Sequence, residues 1–150
     1  TARGYAAAQT LASAPGVVRL VFGSIDFQLD LGIEGEGDPL LAFRSGLVQA
    51  SRLAHLPSPM DGVASVLDDP CEVRAQAAYA RSLGFGAKLC IHPAQVAPVH
   101  EAFLPSEAQV TWASRVLATV ATSDGGAIAV DGKMVDRPVI LKAESILAQR

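Results

Sequence analysis

Val17-Val18-Arg19-Leu20-Val21-Phe22, followed at once by Gly23-Ser24-Ile25-Asp26, is the stretch on which the fold turns. Its apolar, β-branched run broken by Gly and Ser predicts a buried strand ending at residue 22. Upstream, residues 4–13 favour a helix that stops at Ala14-Pro15-Gly16. Downstream, Asp38-Pro39 predicts a helix, with Asp as N-cap acceptor and Pro at the first helical position. Leu40, Leu41, Leu47, Val48 and Leu53 are among its apolar positions, and Pro57 lies past its end.

The alternation then repeats. Residues 59–66 form a second strand candidate through Met60, Val63 and Val66, and Asp69-Pro70 renews the cap signature before a helix through Val73, Ala77 and Ala80. Leu83-Gly84 closes that helix, with Gly as its left-handed terminal residue. Lys88-Leu89-Cys90-Ile91 is the third short strand, and His92-Pro93 begins a helix carrying Val96, Val99 and Phe103. This β-α-β-α-β-α order predicts parallel strands with helical crossovers.

The last third reads differently. Ser106-Glu107-Ala108-Gln109 is a capping box, and its helix carries Val110, Trp112, Val116, Leu117 and Val120 up to Gly125-Gly126. Ala127-Ile128-Ala129-Val130 and Lys133-Met134-Val135 flank Asp131-Gly132, the signature of a hairpin on a tight turn. A final helix is predicted from about residue 138 to 148. Residues 1–104 therefore form a βα-repeating part and residues 105–150 an extension of helix, hairpin and helix. Three strands do not close a barrel, and a full (β/α)8 barrel takes about 250 residues.

Composition narrows the function. The chain has 150 residues, 50% hydrophobic and 18% charged, which excludes a disordered tail. A net charge of −3 leaves no basic footprint for nucleic acid. No apolar run is long enough to span a membrane. Cys71 and Cys90 lack metal-type spacing and are expected to be reduced, buried thiols of a cytoplasmic protein. The opening Thr1-Ala2-Arg3-Gly4 has no basic cluster followed by an apolar core and no initiator Met, and is read as an interior segment.

The chemistry-bearing residues admit two readings on spacing alone. Asp26 is a loop carboxylate bonding local backbone or a metal ligand. Asp136 is a helix cap before Arg137-Pro138 or an acid/base group. Asp61 caps a turn or faces a site, Lys88 meets an anion or pairs with a carboxylate, and His92 is expected to be structural. Arg44, Arg52, Arg74, Arg81 and Arg115 are expected on solvated helix faces, and His55 and His100 at the surface. Gly84-x-Gly86 lacks the spacing of a nucleotide fingerprint.

Taken in order, several of these stretches resemble one family. Leu20-Val21-Phe22-Gly23-Ser24-Ile25-Asp26-Phe27 with Asp30-Leu31-Gly32, Pro59-Met60-Asp61-Gly62-Val63, Gly84-Phe85-Gly86-Ala87-Lys88, Ile91-His92-Pro93-Ala94-Gln95 and Asp131-Gly132-Lys133-Met134-Val135-Asp136 are similar to the citrate lyase β-subunit/malyl-CoA lyase (citramalyl-CoA lyase) aldolases. The resemblance implies an α/β fold, a (β/α)8 TIM barrel of the phosphoenolpyruvate/pyruvate type, of which this chain supplies roughly the C-terminal half plus the extension. It implies a Mg²⁺-dependent carbon–carbon lyase that cleaves a β-hydroxy acyl-CoA thioester into a 2-oxo acid and an acyl-CoA. Asp26 is then the metal ligand, Gly23 and Ser24 approach the substrate carboxylate, and Asp136 is catalytic from the covering segment, acting on a neighbouring subunit of a trimer or hexamer. The companion metal-binding Glu would precede Thr1, and the substrate-carboxylate Arg would lie in the other half. Alternatives are an aldolase on free 2-oxo acids, which would not need the covering segment, and a non-catalytic barrel homologue.

Overall fold

The computed structural model describes residues 1–123 and 128–149, and the chain divides into two compact units, Thr1–Phe103 and Leu104–Arg150. The Gly125-Gly126 stop and the Ala127 start of the hairpin lie outside the described residues.

The first unit opens with two short helices, α1 (Ala2–Ala6) and α2 (Ala8–Ala12), rather than one. The break is Ala7, whose backbone (φ −94°, ψ 6°) leaves helical geometry. Residues 17–22 follow in extended form, but only Val21 makes a parallel bridge, to Met60. Phe22 N–H donates to Met60 O at 2.9 Å and Met60 N–H to Leu20 O at 2.9 Å. The expected strand of residues 59–66 contracts to β1 (Met60–Asp61) and that of residues 88–91 to β2 (Ala87–Lys88). These pair in parallel, with Met60 opposite Ala87 and Asp61 opposite Lys88. Residues 17–22 meet this ladder through Met60. The expected buried strand is also half open, with Val18 77% and Val21 48% exposed.

Four further helices complete this unit: α3 (Ser24–Leu31), α4 (Asp38–Leu53), α5 (Pro70–Ser82) and α6 (Val96–Phe103), the last preceded by a 3-10 turn, Pro93–Gln95. Helix α3 was not anticipated. Asp26 in its first turn favours the positive helix end, and Gly32, at φ +66°, supplies the left-handed close. Asp38 does not cap α4. Gly37 occupies the N-cap and Asp38 is the first helical residue. Asp69 caps α5 as expected, accepting from Cys71 N and Glu72 N, both at 3.0 Å, and Gly84 follows at φ +99°.

Apolar burial organises the unit into two clusters. Phe22, Phe27, Leu40 and Leu47 pack with Tyr5 and Phe43, and the rings meet edge to face, Phe27 to Phe43 at 4.7 Å between centroids. Burying a side chain such as Phe27 contributes about 2 kcal/mol. Gly46 lets α4 pass beside α1, since a Cβ there would stand 2.0 Å from the Tyr5 hydroxyl. Val73 and Ala77 of α5 pack with Val99 and Ala102 of α6 around Ala64. Gln95, 1% exposed, ties this layer together. Its Nε2 donates to Ala64 O and Val66 O at 2.8 Å, and its Oε1 accepts from Ile91 N at 2.9 Å.

The second unit holds α7 (Glu107–Ala121), a hairpin of β3 (Ile128–Val130) and β4 (Lys133–Val135), and α8 (Arg137–Ala148). The capping box at Ser106 and Gln109 is formed in both directions. Asp131 (φ +51°) and Gly132 (φ +72°) give the two left-handed positions that a tight hairpin turn needs. Ala113 and Val116 pack against Ala143 and Ile146, closing α7 on α8.

Candidate functional site

Gly23, Ser24 and Asp26 fall together where the extended segment passes into α3. Gly23 occupies the N-cap and is itself exposed, with no side-chain cap hydrogen bond. Asp26 is exposed, and its Oδ2 lies 3.7 Å from where a Gly23 Cβ would be. Asp26 is thus a first-turn helix residue rather than the loop residue its position after the strand implied. Gly23 and Asp26 line a cavity of about 290 Å³, with Thr1, Tyr5, Leu20 and Phe22 among its other walls.

Ser24 is placed differently from its neighbours. It is 1% exposed, and its Oγ has no hydrogen-bond partner among the described residues. Gly62, the residue after β1, makes room for it. A Cβ at Gly62 would stand 2.2 Å from Ser24 Oγ and 3.0 Å from Phe22 O. Ser24 is therefore packed against Gly62, its backbone as well as its hydroxyl shielded from solvent.

Asp136 belongs to the second unit, where it caps α8. Its Oδ1 accepts from Val139 N at 3.2 Å, and the residue is exposed. The other carboxylate oxygen has no partner among the described residues.

Arg44 departs most from its expected place. Expected on a solvated face, its side chain is 3% exposed and pairs with an equally buried Asp61. Arg44 Nε donates to Asp61 Oδ1 at 2.9 Å, while Lys88 Nζ donates to Asp61 Oδ2 at 3.0 Å. The side chains of Asp61 and Lys88 are each 1% exposed, so Lys88 takes its carboxylate-pairing reading, whereas Asp61 anchors a buried ion-pair cluster that neither of its two expected roles described. Arg44 also holds Glu36 at 3.1 Å, and its guanidinium lies over the rings of Phe22 and Tyr79. The signal was in the spacing. Arg44 falls four residues after Leu40 and three before Leu47, on the buried stripe of α4. Arg74 and Arg115 do lie exposed, pairing with Glu101 and Asp131.

His92 is structural, as expected. Its Nδ1 accepts from Ala94 N at 3.2 Å and caps the 3-10 turn. Both cysteines are exposed rather than buried. Cys71 sits in the first turn of α5 and Cys90 just past β2, away from the packed faces. Partial burial still pushes the Cys90 thiol above its ordinary pKa, opposed by the nearby Lys88 charge.

Among the described residues no three His, Cys, Asp or Glu side chains gather as a metal cluster. One exposed carboxylate at a cavity wall nevertheless fits Mg²⁺, which keeps several waters and commonly takes only one or two protein carboxylates. No helix among the described residues is long and apolar enough to cross a membrane.

The family profile described as HpcH/HpaI aldolase/citrate lyase matches residues 1–93. The chain is 39% identical over 148 residues to a citrate lyase subunit beta-like protein of Deinococcus radiodurans, covering 94% of this chain and 51% of that protein. It is 33% identical over 153 residues to a (3S)-malyl-CoA thioesterase of Cereibacter sphaeroides, covering 99% and 54%. The crystal structure of CitE from Mycobacterium tuberculosis in complex with magnesium, acetoacetate and coenzyme A superposes with a TM-score of 0.89 at 32% identity, over 99% of this chain and 58% of that one. The chain thus spans about half the length of the relatives it matches, and it shares the fold of the corresponding part of CitE. On the profile match and these identities, the chain belongs to the HpcH/HpaI aldolase/citrate lyase family.

Proposed function

We propose that this chain is part of a Mg²⁺-dependent carbon–carbon lyase acting on a β-hydroxy acyl-CoA thioester of the citryl-, malyl- or citramalyl-CoA type. The observation that carries the reading is Asp26, an exposed carboxylate beside Gly23 on a cavity wall where an extended parallel segment enters a helix. Residues 1–104 then contribute the C-terminal part of a (β/α)8 barrel, and residues 105–150 the segment that covers the active site.

When bound, the magnesium ion would orient a 2-oxo acid and offset the negative charge that develops as the carbon–carbon bond breaks. Asp26 would hold it with one carboxylate, leaving positions for water and substrate oxygens. In this reading the exposed start of α3 at Gly23 would present a favourable helix end to the substrate carboxylate, with Ser24, buried against Gly62, shaping that turn from behind. Asp136, anchored at the start of α8 by one oxygen, keeps the other for proton transfer at the substrate hydroxyl. In this reading the protein is a cytoplasmic homo-oligomer, trimer or hexamer, with Asp136 serving a neighbouring subunit.

A thioesterase among the relatives favours a second reading in which the same site hydrolyses the CoA thioester. Incubating full-length protein with each CoA thioester and MgCl₂ separates the two. Lysis releases a 2-oxo acid and keeps the thioester bond in the acyl-CoA, whereas hydrolysis releases free CoA thiol. Absence of both products, with and without Mg²⁺, would refute the enzymatic reading.

A further inference from the structure

We infer that the buried Arg44–Asp61–Lys88 cluster holds the turn of Gly23, Ser24 and Asp26 in register, so that Arg44 and Lys88 are positioning residues for a divalent cation on Asp26. The inference rests on the reading of Asp26 as metal ligand and adds residues that do not touch the metal.

The connection runs through β1. Asp61 is clamped from two sides, by Arg44 on Oδ1 and Lys88 on Oδ2, and its backbone oxygen accepts from Leu89 N at 3.0 Å. Gly62, the next residue, is the notch into which Ser24 fits, with no space for even a methyl group between them. Moving Asp61 moves Gly62, and Ser24 must follow, carrying Gly23 and Asp26 on either side. Arg44 grips the same turn from its other end. Its guanidinium carbon lies 5.7 Å from the centroid of Phe22, the residue before Gly23, and Phe22 N–H bonds Met60, the residue before Asp61.

Charge chemistry indicates why such a cluster serves geometry rather than stability alone. Burying ions costs desolvation that their attraction seldom exceeds, and apolar residues of similar size often hold a fold equally well. Lys88 is the clearest case. Its ammonium has three donors, yet its one hydrogen bond within the described residues is to Asp61. A cavity of about 250 Å³ bordered by Lys88, Arg44 and Tyr79 lies alongside, so an unbranched apolar side chain can be accommodated.

The test is Lys88→Met in the full-length protein, which leaves Asp61 paired with Arg44. Titration calorimetry with MgCl₂ in saturating pyruvate should show the affinity fall by about tenfold, the effect of losing a residue that orients a metal ligand, with the thermal midpoint retained. Amide hydrogen exchange of residues 23–27, measured without metal, should be faster than in the parent. Parental Mg²⁺ affinity together with parental exchange would overturn the inference. If the parent itself binds no Mg²⁺, the reading of Asp26 fails, while the metal-free exchange still decides whether the cluster holds the turn. Should Lys88→Met not fold, Gly62→Ala pushes directly on Ser24 without altering a charge and should weaken Mg²⁺ binding similarly. Loss of the fold in both variants would overturn the inference, since the cluster would then hold the whole unit rather than the turn.

Discussion

Replacing Asp61 by Asn removes the one anion between two buried cations. Lys88, with its side chain 1% exposed, would lose its charged partner at 3.0 Å, and Arg44 would keep only Glu36, whose side chain is 43% exposed. Breaking a buried pair by deleting one partner costs about 3–5 kcal/mol, because the remaining charge stays desolvated. Divided by a urea slope of about 2 kcal/mol/M, the midpoint should fall by about 2 M. Urea unfolding followed by far-UV circular dichroism measures this directly. The double variant Asp61→Asn with Lys88→Met should recover most of the loss, since it removes the stranded ammonium as well. A midpoint shift below about 0.5 M, or a double variant no more stable than Asp61→Asn, would show that water reaches Lys88 and that the cluster is not energetically buried.

Other outcomes follow from individual contacts. Asp69→Ala deprives the Cys71 and Glu72 amides of their acceptor and should cost about 1 kcal/mol of stability in the same assay. Asp136→Asn keeps a good helix cap, since Asn and Asp cap about equally. It should therefore retain the thermal midpoint while turnover of a CoA thioester falls about a hundredfold, the usual scale of acid/base contributions, and parental turnover would leave capping as its role. The raised Cys90 pKa means less thiolate at a given pH. Its alkylation by iodoacetamide, followed by mass spectrometry, should reach half its maximal rate at a higher pH than an unperturbed thiol, and an unshifted profile would contradict that. Gly84→Ala places a Cβ at φ +99° and 3.0 Å from Val48 Cγ1, and thermal melting should show a loss of about 1 kcal/mol or more.

What could be read from the sequence was local. Asp69, Ser106 with Gln109, and Asp131-Gly132 act within a few residues, and the structure places each as its spacing implied. The β-α alternation was legible too, because buried apolar runs and capped amphipathic runs differ in period. Strand length was not. Hydrophobicity marked residues 17–22 and 59–66, but ladder hydrogen bonds require a neighbouring strand, and residues 17–22 find only Met60. Helix α3 escaped because Gly23 and Ser24 read as a strand end while also opening a helix. Arg44 is deceptive by residue type. A charged side chain suggests solvent, yet its partner Asp61 lies 17 residues away on a different element, and no local pattern announces that meeting. The cysteines erred in the opposite direction, since thiols favour burial on average but Cys71 and Cys90 sit at element ends. Of the candidate site, the closeness of Gly23 and Asp26 was legible because they lie within one turn of chain, whereas the burial of Ser24 against Gly62 was not. The cluster behind it required the fold.

The central claim is that Asp26 ligates a divalent cation. Crystals of the full-length protein soaked in MnCl₂ with pyruvate provide the most direct measurement. An anomalous manganese peak within coordination distance of the Asp26 carboxylate, absent in Asp26→Ala crystals, is the result the account predicts. A peak ligated by other residues, or none beside Asp26 at saturating metal and oxo acid, would contradict it.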